Sequence, residues 1–418
     1  MKLFNTLTQE KEDFIPRGDE VTIYVCGITP YDTTHLGHAF TYTSTDILIR
    51  YLESQGLNVR YVQNVTDIDD DILRKAKEVG EDWRNLGNRW TAHFIQDMQT
   101  LNVRAPDRFP RATETIPEII HSVQALLEQG VAYEAGGSVY YAVNSWPEFG
   151  KLSHLSRNEM LPIANERGNH PDDPNKRDPL DFVLWQGQAP GEPAWDSPWG
   201  PGRPGWHIEC SSMSTAFLGD IVDIHGGGAD LCFPHHECEI AQVEPASSRR
   251  PFVRYWMHTA MVRHEGEKMS KSLGNLVMVR NLLESYSADA IRLYLGEHHY
   301  RASWEYDERE LKASQVVVDR IRQAVECDSG DGREMDFDSL QEAFYAALDD
   351  DLNTTEAIAV MKDLSEAILN SVREGRDVKE GQMKLRSFGK TFGLRLEQQK
   401  PEERVLHGWG RYITEFAF

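Results

Sequence analysis

The stretch from Val21 to Val65 constrains this chain most. Val21–Cys26 (VTIYVC) is a short β-rich run that ends at Gly27 and Pro30, and a long amphipathic segment follows from Leu36 to Leu52. Gly56 stops that segment, and Val59–Val65 is a second apolar run. Strand, helix and strand in this order make a βαβ unit, the building block of a parallel doubly wound sheet. A right-handed crossover puts both strand ends, Cys26 and Asn64–Asp67, on one carboxyl edge, where such sheets usually bind ligands.

The same texture returns at Ile221–Ile224, before a glycine triplet, and at Phe252–Val262. Between the two halves, Val131–Val143 reads as paired strands around Gly136-Gly137, and Asn158–Pro179 is polar and rich in Pro, Asn, Asp and Arg. The fold class expected is therefore α/β. A parallel-sheet domain over residues 1–130 and 189–305 is interrupted by a mixed insertion at 131–188. A linking helix (306–335), an α-helical bundle (336–396) and a tail (397–418) follow. Two or three domains suit 418 residues.

Composition excludes several classes. There are 44 basic against 67 acidic side chains, a formal charge of −23. That argues against a general basic coat for nucleic acid and leaves room only for a local basic track. No stretch approaches the ~18 apolar residues of a membrane span, so no membrane partner is expected. Met1–Pro16 has no apolar core, and no secretory leader is expected there. Five scattered cysteines argue against a disulfide framework and for a reducing, cytoplasmic setting.

Two motifs carry chemistry. Thr34-His35-Leu36-Gly37-His38 opens the first crossover helix, and its two histidines share one face. Gly37 leaves room for a flat ring or a phosphate, and the helix start favours anions. Lys268-Met269-Ser270-Lys271-Ser272, followed by Leu273-Gly274-Asn275, places two cations and two hydroxyls in a glycine-flanked loop. Such a clamp suits a triphosphate whose charge grows in the transition state. Together the motifs resemble the signature pair of the class I aminoacyl-tRNA synthetases. The resemblance implies a Rossmann-type catalytic domain in which an amino-acid carboxylate attacks the α-phosphate of ATP, with Mg2+ accompanying the nucleotide. His35 and His38 would then stabilise the phosphate, and Lys268 and Lys271 the departing pyrophosphate.

A third constellation concerns the amino acid. Cys26 ends the first strand, Cys210 follows Gly205-Trp206-His207-Ile208-Glu209, and His235 and Glu239 lie in Phe233–Glu239. On a helix, His235 and Glu239 are i,i+4 and can meet at one ion. Two thiolates, an imidazole and a carboxylate make a sound zinc set. Cys238 is i,i+3 from His235 and could stand in for Glu239, and Cys232 is also near. The arrangement is similar to that of the cysteinyl-tRNA synthetases, which it matches at Tyr24–Asp32, Asn64–Asp70, Leu180–Trp185, Gly202–Cys210 and Asp223–Glu239. That resemblance implies one Zn2+ per chain, taking the sulfur of L-cysteine as a further ligand and rejecting serine. It also implies that Thr29, Thr41, Asn64, Thr66, Trp206 and Val262 line the pocket with Gly37, and that Gly228 and Asp230 approach the adenosine. A monomer is expected.

The acceptor stays open at this level. The synthetases usually continue into a C-terminal segment that reads the anticodon, and Gln398–Phe418 is too short for one. The related mycothiol-pathway ligase, which lacks that segment, transfers cysteine to the amino sugar glucosaminyl-inositol, and Glu166-Arg167-Gly168-Asn169-His170-Pro171 is similar to its insertion. Glu239, Leu180–Trp185 and Lys268–Asn275 favour tRNA(Cys) as acceptor.

Overall fold

The computed structural model of the chain describes residues 1–31, 34–269, 273–396 and 408–416. At its centre are four parallel strands in the spatial order Val253–Thr259, Val222–Gly228, Glu20–Ile28, Asn58–Val65. The chain runs outward from Glu20–Ile28 to Asn58–Val65 and later resumes on the opposite side at Val222–Gly228. That reversal opens a crevice at the carboxyl ends of the two inner strands, the usual ligand position in such sheets.

Side chains alternate across the sheet, which decides what each face meets. Ile23 and Val25 join the core built around the crossover helix Leu36–Ser54. Tyr24 and Cys26 point the other way, into a cluster with Cys210 and Met213 of the helix Trp206–Leu218. Cys26 therefore meets Cys210 as a consequence of strand periodicity.

The insertion is an antiparallel sheet of four strands, Ala132–Ala135, Ser138–Tyr141, Phe182–Gly187 and Gly202–Pro204. Its last strand lies beyond the expected limit of residue 188. The polar stretch inside it holds a helix, Arg157–Glu166, opened by a capping box in which Ser156 and Glu159 serve each other's backbone donors. A further core, around Val139, Tyr141, Leu184 and Trp185, fastens the insertion to the sheet domain.

Beyond the sheet, helix Glu308–Glu326 starts at Asp307, whose carboxylate accepts from Arg309 N–H. Helices Asp338–Asp349, Thr354–Arg373 and Lys379–Thr391 complete the bundle, with Phe344 and Phe388 stacked 3.8 Å apart inside it. The bundle shares one continuous apolar core with the crossover helix. Two buried ion centres reinforce that seam. Arg292 bonds Asp46 of the crossover helix and the carbonyls of Leu101 and Phe392. Asp351 accepts from Phe4 N–H, Tyr300 O–H and Arg301 Nε. In the tail, Trp409 is buried against Phe94 and Phe109 and donates to Val103 O at 2.8 Å. Among the described residues no helix is long and apolar enough to cross a membrane.

Candidate active site and metal centre

A cavity of about 560 Å3 opens at the carboxyl edge of the sheet. Thr29, Gly37, Thr41, Asn64, Thr66, Trp206, Gly228, Asp230 and Val262 all line it, together with His35, His38 and Lys268. Lys271 lies outside the described residues. The histidine and lysine motifs are far apart in sequence but joined by backbone pairing: Leu36 N–H donates to Val277 O at 2.8 Å, and Val279 N–H to Thr34 O at 3.1 Å. The chain leaving the lysine loop is thus stitched to the start of the histidine helix. At that start the rings of His35 and His38 stack 3.8 Å apart.

The ends of the strands Glu20–Ile28 and Asn58–Val65 approach closely at Gly27. Its N–H donates to Asn64 Oδ1 at 2.8 Å, and a Cβ placed there would lie 1.5 Å from the Asn64 carbonyl oxygen. No side chain fits. The glycine after Cys26 lets the neighbouring strand close over the cavity floor.

Cys26, Cys210 and His235 line the base of the cavity, and Glu239 stands behind them, fully buried. One ligand atom from each of the four lies within 4.8 Å of the other three. Cys26 Sγ is 3.7 Å from Cys210 Sγ and 3.6 Å from Glu239 Oε1, and His235 Nε2 is 3.2 Å from Glu239 Oε1. His235 and Glu239 stay i,i+4 because the Cys232–His236 turn runs straight into helix Glu237–Ser247. Trp206 stacks on His235 at 4.5 Å. Burial pushes the Cys26 thiol and the Glu239 carboxyl well up, and the His235 imidazole well down. Without a cation all three favour their neutral forms. A divalent ion would reverse that preference for the thiol and the carboxyl, which must be ionised to bind it. The donor set therefore fits a thiolate-binding metal such as zinc.

Sequence reasoning missed a second set. Cys26, His225, His236 and Glu239 are gathered equally closely. His225 Nε2 lies 2.9 Å from Glu239 Oε2, His236 Nε2 lies 3.2 Å from Cys26 Sγ, and His236 Nδ1 lies 2.8 Å from His258 Nε2. The His235-His236 pair was visible in the sequence, but which ring turns towards Cys26 was not. Of the two sets, only Cys26–Cys210–His235 shows three members to the cavity, where a catalytic metal needs an open position. Cys238 packs in the insertion-side core, and Cys232 Sγ lies 3.9 Å from Leu152 O. Neither belongs to a ligand cluster among the described residues.

Comparison with known proteins decides the family. Residues 14–316 match the profile described as "tRNA synthetases class I (C) catalytic domain". A protein of Dehalococcoides mccartyi named cysteine--tRNA ligase is 44% identical over 406 residues, covering 96% of this chain and 88% of its own length. One of the same name from Alkalilimnicola ehrlichii is 46% identical over 415 residues, covering 98% of this chain and 88% of its own length. This chain belongs to the cysteine–tRNA ligase family. Within the ligase, the catalytic-domain match ends inside helix Glu308–Glu326, and a DALR domain profile takes in residues 343–397, the last helices of the bundle. The ligase fold is shared more widely. Mycobacterium tuberculosis methionyl-tRNA synthetase in complex with methionyl-adenylate superposes with a TM-score of 0.61, covering 95% of this chain and 93% of that one at 15% identity.

Proposed function

We propose that the chain joins L-cysteine to tRNA at the expense of ATP, and that the cavity at the sheet's carboxyl edge is where the amino acid is activated. A carboxylate oxygen of cysteine attacks the α-phosphorus of ATP, the bond to pyrophosphate breaks, and cysteinyl-adenylate is left. A terminal ribose hydroxyl of the tRNA then attacks the cysteinyl carbonyl and AMP departs. His35 and His38, at a helix start that already carries partial positive charge, meet the phosphate where negative charge develops. Lys268 and Lys271 neutralise the leaving pyrophosphate, ATP entering with Mg2+. Thr29, Gly37, Thr41, Asn64, Thr66 and Trp206 shape the pocket, while Gly228, Asp230 and Val262 take the nucleoside side.

One observation carries this reading. Two thiols, an imidazole and a carboxylate converge at the base of the same cavity whose walls hold the paired histidines and Lys268. Cys26, Cys210, His235 and Glu239 would hold one zinc ion, which when bound supplies a site that prefers sulfur strongly to a hydroxyl oxygen. The tRNA acceptor end reaches the cavity through an adjoining chamber of about 740 Å3 between insertion and sheet, which shares Thr29, Trp206 and Asp230 with it. The ligase acts in the cytoplasm as a monomer. Relatives named for tRNA favour tRNA(Cys) over the amino sugar as acceptor.

Zinc content, cysteine-dependent ATP–pyrophosphate exchange and tRNA charging on one preparation test the reading. We expect one zinc per chain, exchange with cysteine and not with serine, and transfer to tRNA(Cys). Cys210→Ser should lose zinc and the preference for cysteine together. Metal-free protein that still prefers cysteine would overturn the metal assignment, and transfer to glucosaminyl-inositol alone would overturn the acceptor.

A further inference from the structure

Asp230 stands in the wall between the two chambers, and a cation reaches it from each. Lys268 Nζ, from the activation cavity, lies 3.2 Å from Asp230 Oδ2. Arg167 Nη1, at the end of the insertion helix Arg157–Glu166, lies 3.1 Å from the same oxygen. Gly228 leaves the carboxylate room there, because a Cβ at that position would sit 2.6 Å from Asp230 Oδ1. Burial pushes the Asp230 carboxyl up, but Lys268 and Arg167 outweigh it and hold the group below the ordinary carboxylate range. The Asp230 side chain is 26% exposed, and an anion in that position releases one cation more readily while another stays beside it.

We propose that Arg167 is a positioning residue for the activation step: by keeping Asp230 paired, it lets Lys268 leave that carboxylate for the phosphates of the entering nucleotide. The inference rests on the assignment of Lys268 to those phosphates. In the resting chain one carboxylate serves two cations. When a triphosphate enters, Lys268 moves to it and Asp230 keeps Arg167. When pyrophosphate leaves, Lys268 returns. One shared oxygen thus ties the insertion, where the acceptor enters, to the lysine loop. Lys268 is 45% exposed, so its pair with Asp230 is light and exchangeable, able to shift an equilibrium by no more than about fivefold.

The test is Arg167→Gln in the full chain, assayed by cysteine-dependent ATP–pyrophosphate exchange without tRNA. KM for ATP should rise about three- to fivefold, with KM for cysteine unchanged and Arg167→Lys restoring the parent value. In an Asp230→Asn background the same change should have no further effect, because no carboxylate remains for Arg167 to serve. Three results would each overturn the proposal: an unchanged KM for ATP, an equal rise in both backgrounds, or a defect confined to tRNA charging. The last would make Arg167 a contact of the acceptor instead. Lys268→Ala separates the two levels. If exchange survives Lys268→Ala, the lysine assignment falls and this inference with it. If Lys268→Ala abolishes exchange while Arg167→Gln changes nothing, this inference alone falls.

Discussion

Replacing Arg292 by methionine removes a guanidinium with no exposure to solvent at the seam between the sheet domain and the bundle. Its Nε donates to Phe392 O at 2.7 Å, its Nη1 to Leu101 O at 2.9 Å, and its Nη2 pairs with Asp46. Methionine fills much of the volume but satisfies none of these acceptors. Removing one partner of a buried ion pair costs about 3–5 kcal/mol. Asp46 would keep Arg50 at 2.9 Å and the Arg104 backbone N–H at 2.7 Å, so the lower end, about 3 kcal/mol, applies. If the chain melts as one unit, an unfolding entropy of about 2.1 cal/mol/K per residue converts that loss into about 3–4 °C. Scanning calorimetry reads it directly, and a bundle loosened from the sheet would show as a split transition. Asp46→Asn should cost less in the Arg292→Met background than in the parent, since the two groups share one interaction. A melting temperature within about 1 °C of the parent, or strictly additive costs, would refute the view that this ion pair holds the seam.

Four further substitutions have definite expected outcomes. Gly27→Ala forces the strand ends apart at Asn64, and a displacement of about 1 Å at a reacting centre costs about a hundredfold, so cysteine-dependent exchange should fall by that order while far-UV circular dichroism is retained. Burial, with Asp71 and Asp70 beside it, pushes Asp69 up to about 7. The folded value exceeds the unfolded one, so the protonated group's contribution is full below about pH 4 and is lost as pH rises through 7. Asparagine keeps the helix cap that accepts from Ile72 N–H. The Asp69→Asn protein should therefore melt higher than the parent at pH 8, with the two curves converging towards pH 4; parallel curves across that range would count against the assignment. Cys238→Ser should retain zinc and Cys26→Ser should lose it, as read by metal analysis of the purified chains.

Strand and helix periodicity alone made much of the fold legible. Alternation along Val21–Cys26 set Cys26 on the face opposite Val25, and the i,i+4 spacing brought His235 and Glu239 together, because both relations are local and repeat every two or every 3.6 residues. The histidine and lysine motifs were also visible in the sequence, and the chemistry proposed for them rests on their residue types and on the family resemblance. The sequence did not reveal which polar groups meet across long separations. His225 and His236 reach Glu239 and Cys26, Arg167 and Lys268 share one oxygen of Asp230, and Arg292 ties together three segments. Periodicity says that a residue faces inward. Only close packing of the finished sheet, insertion and bundle, in which every buried charge must find a partner, decides what it faces.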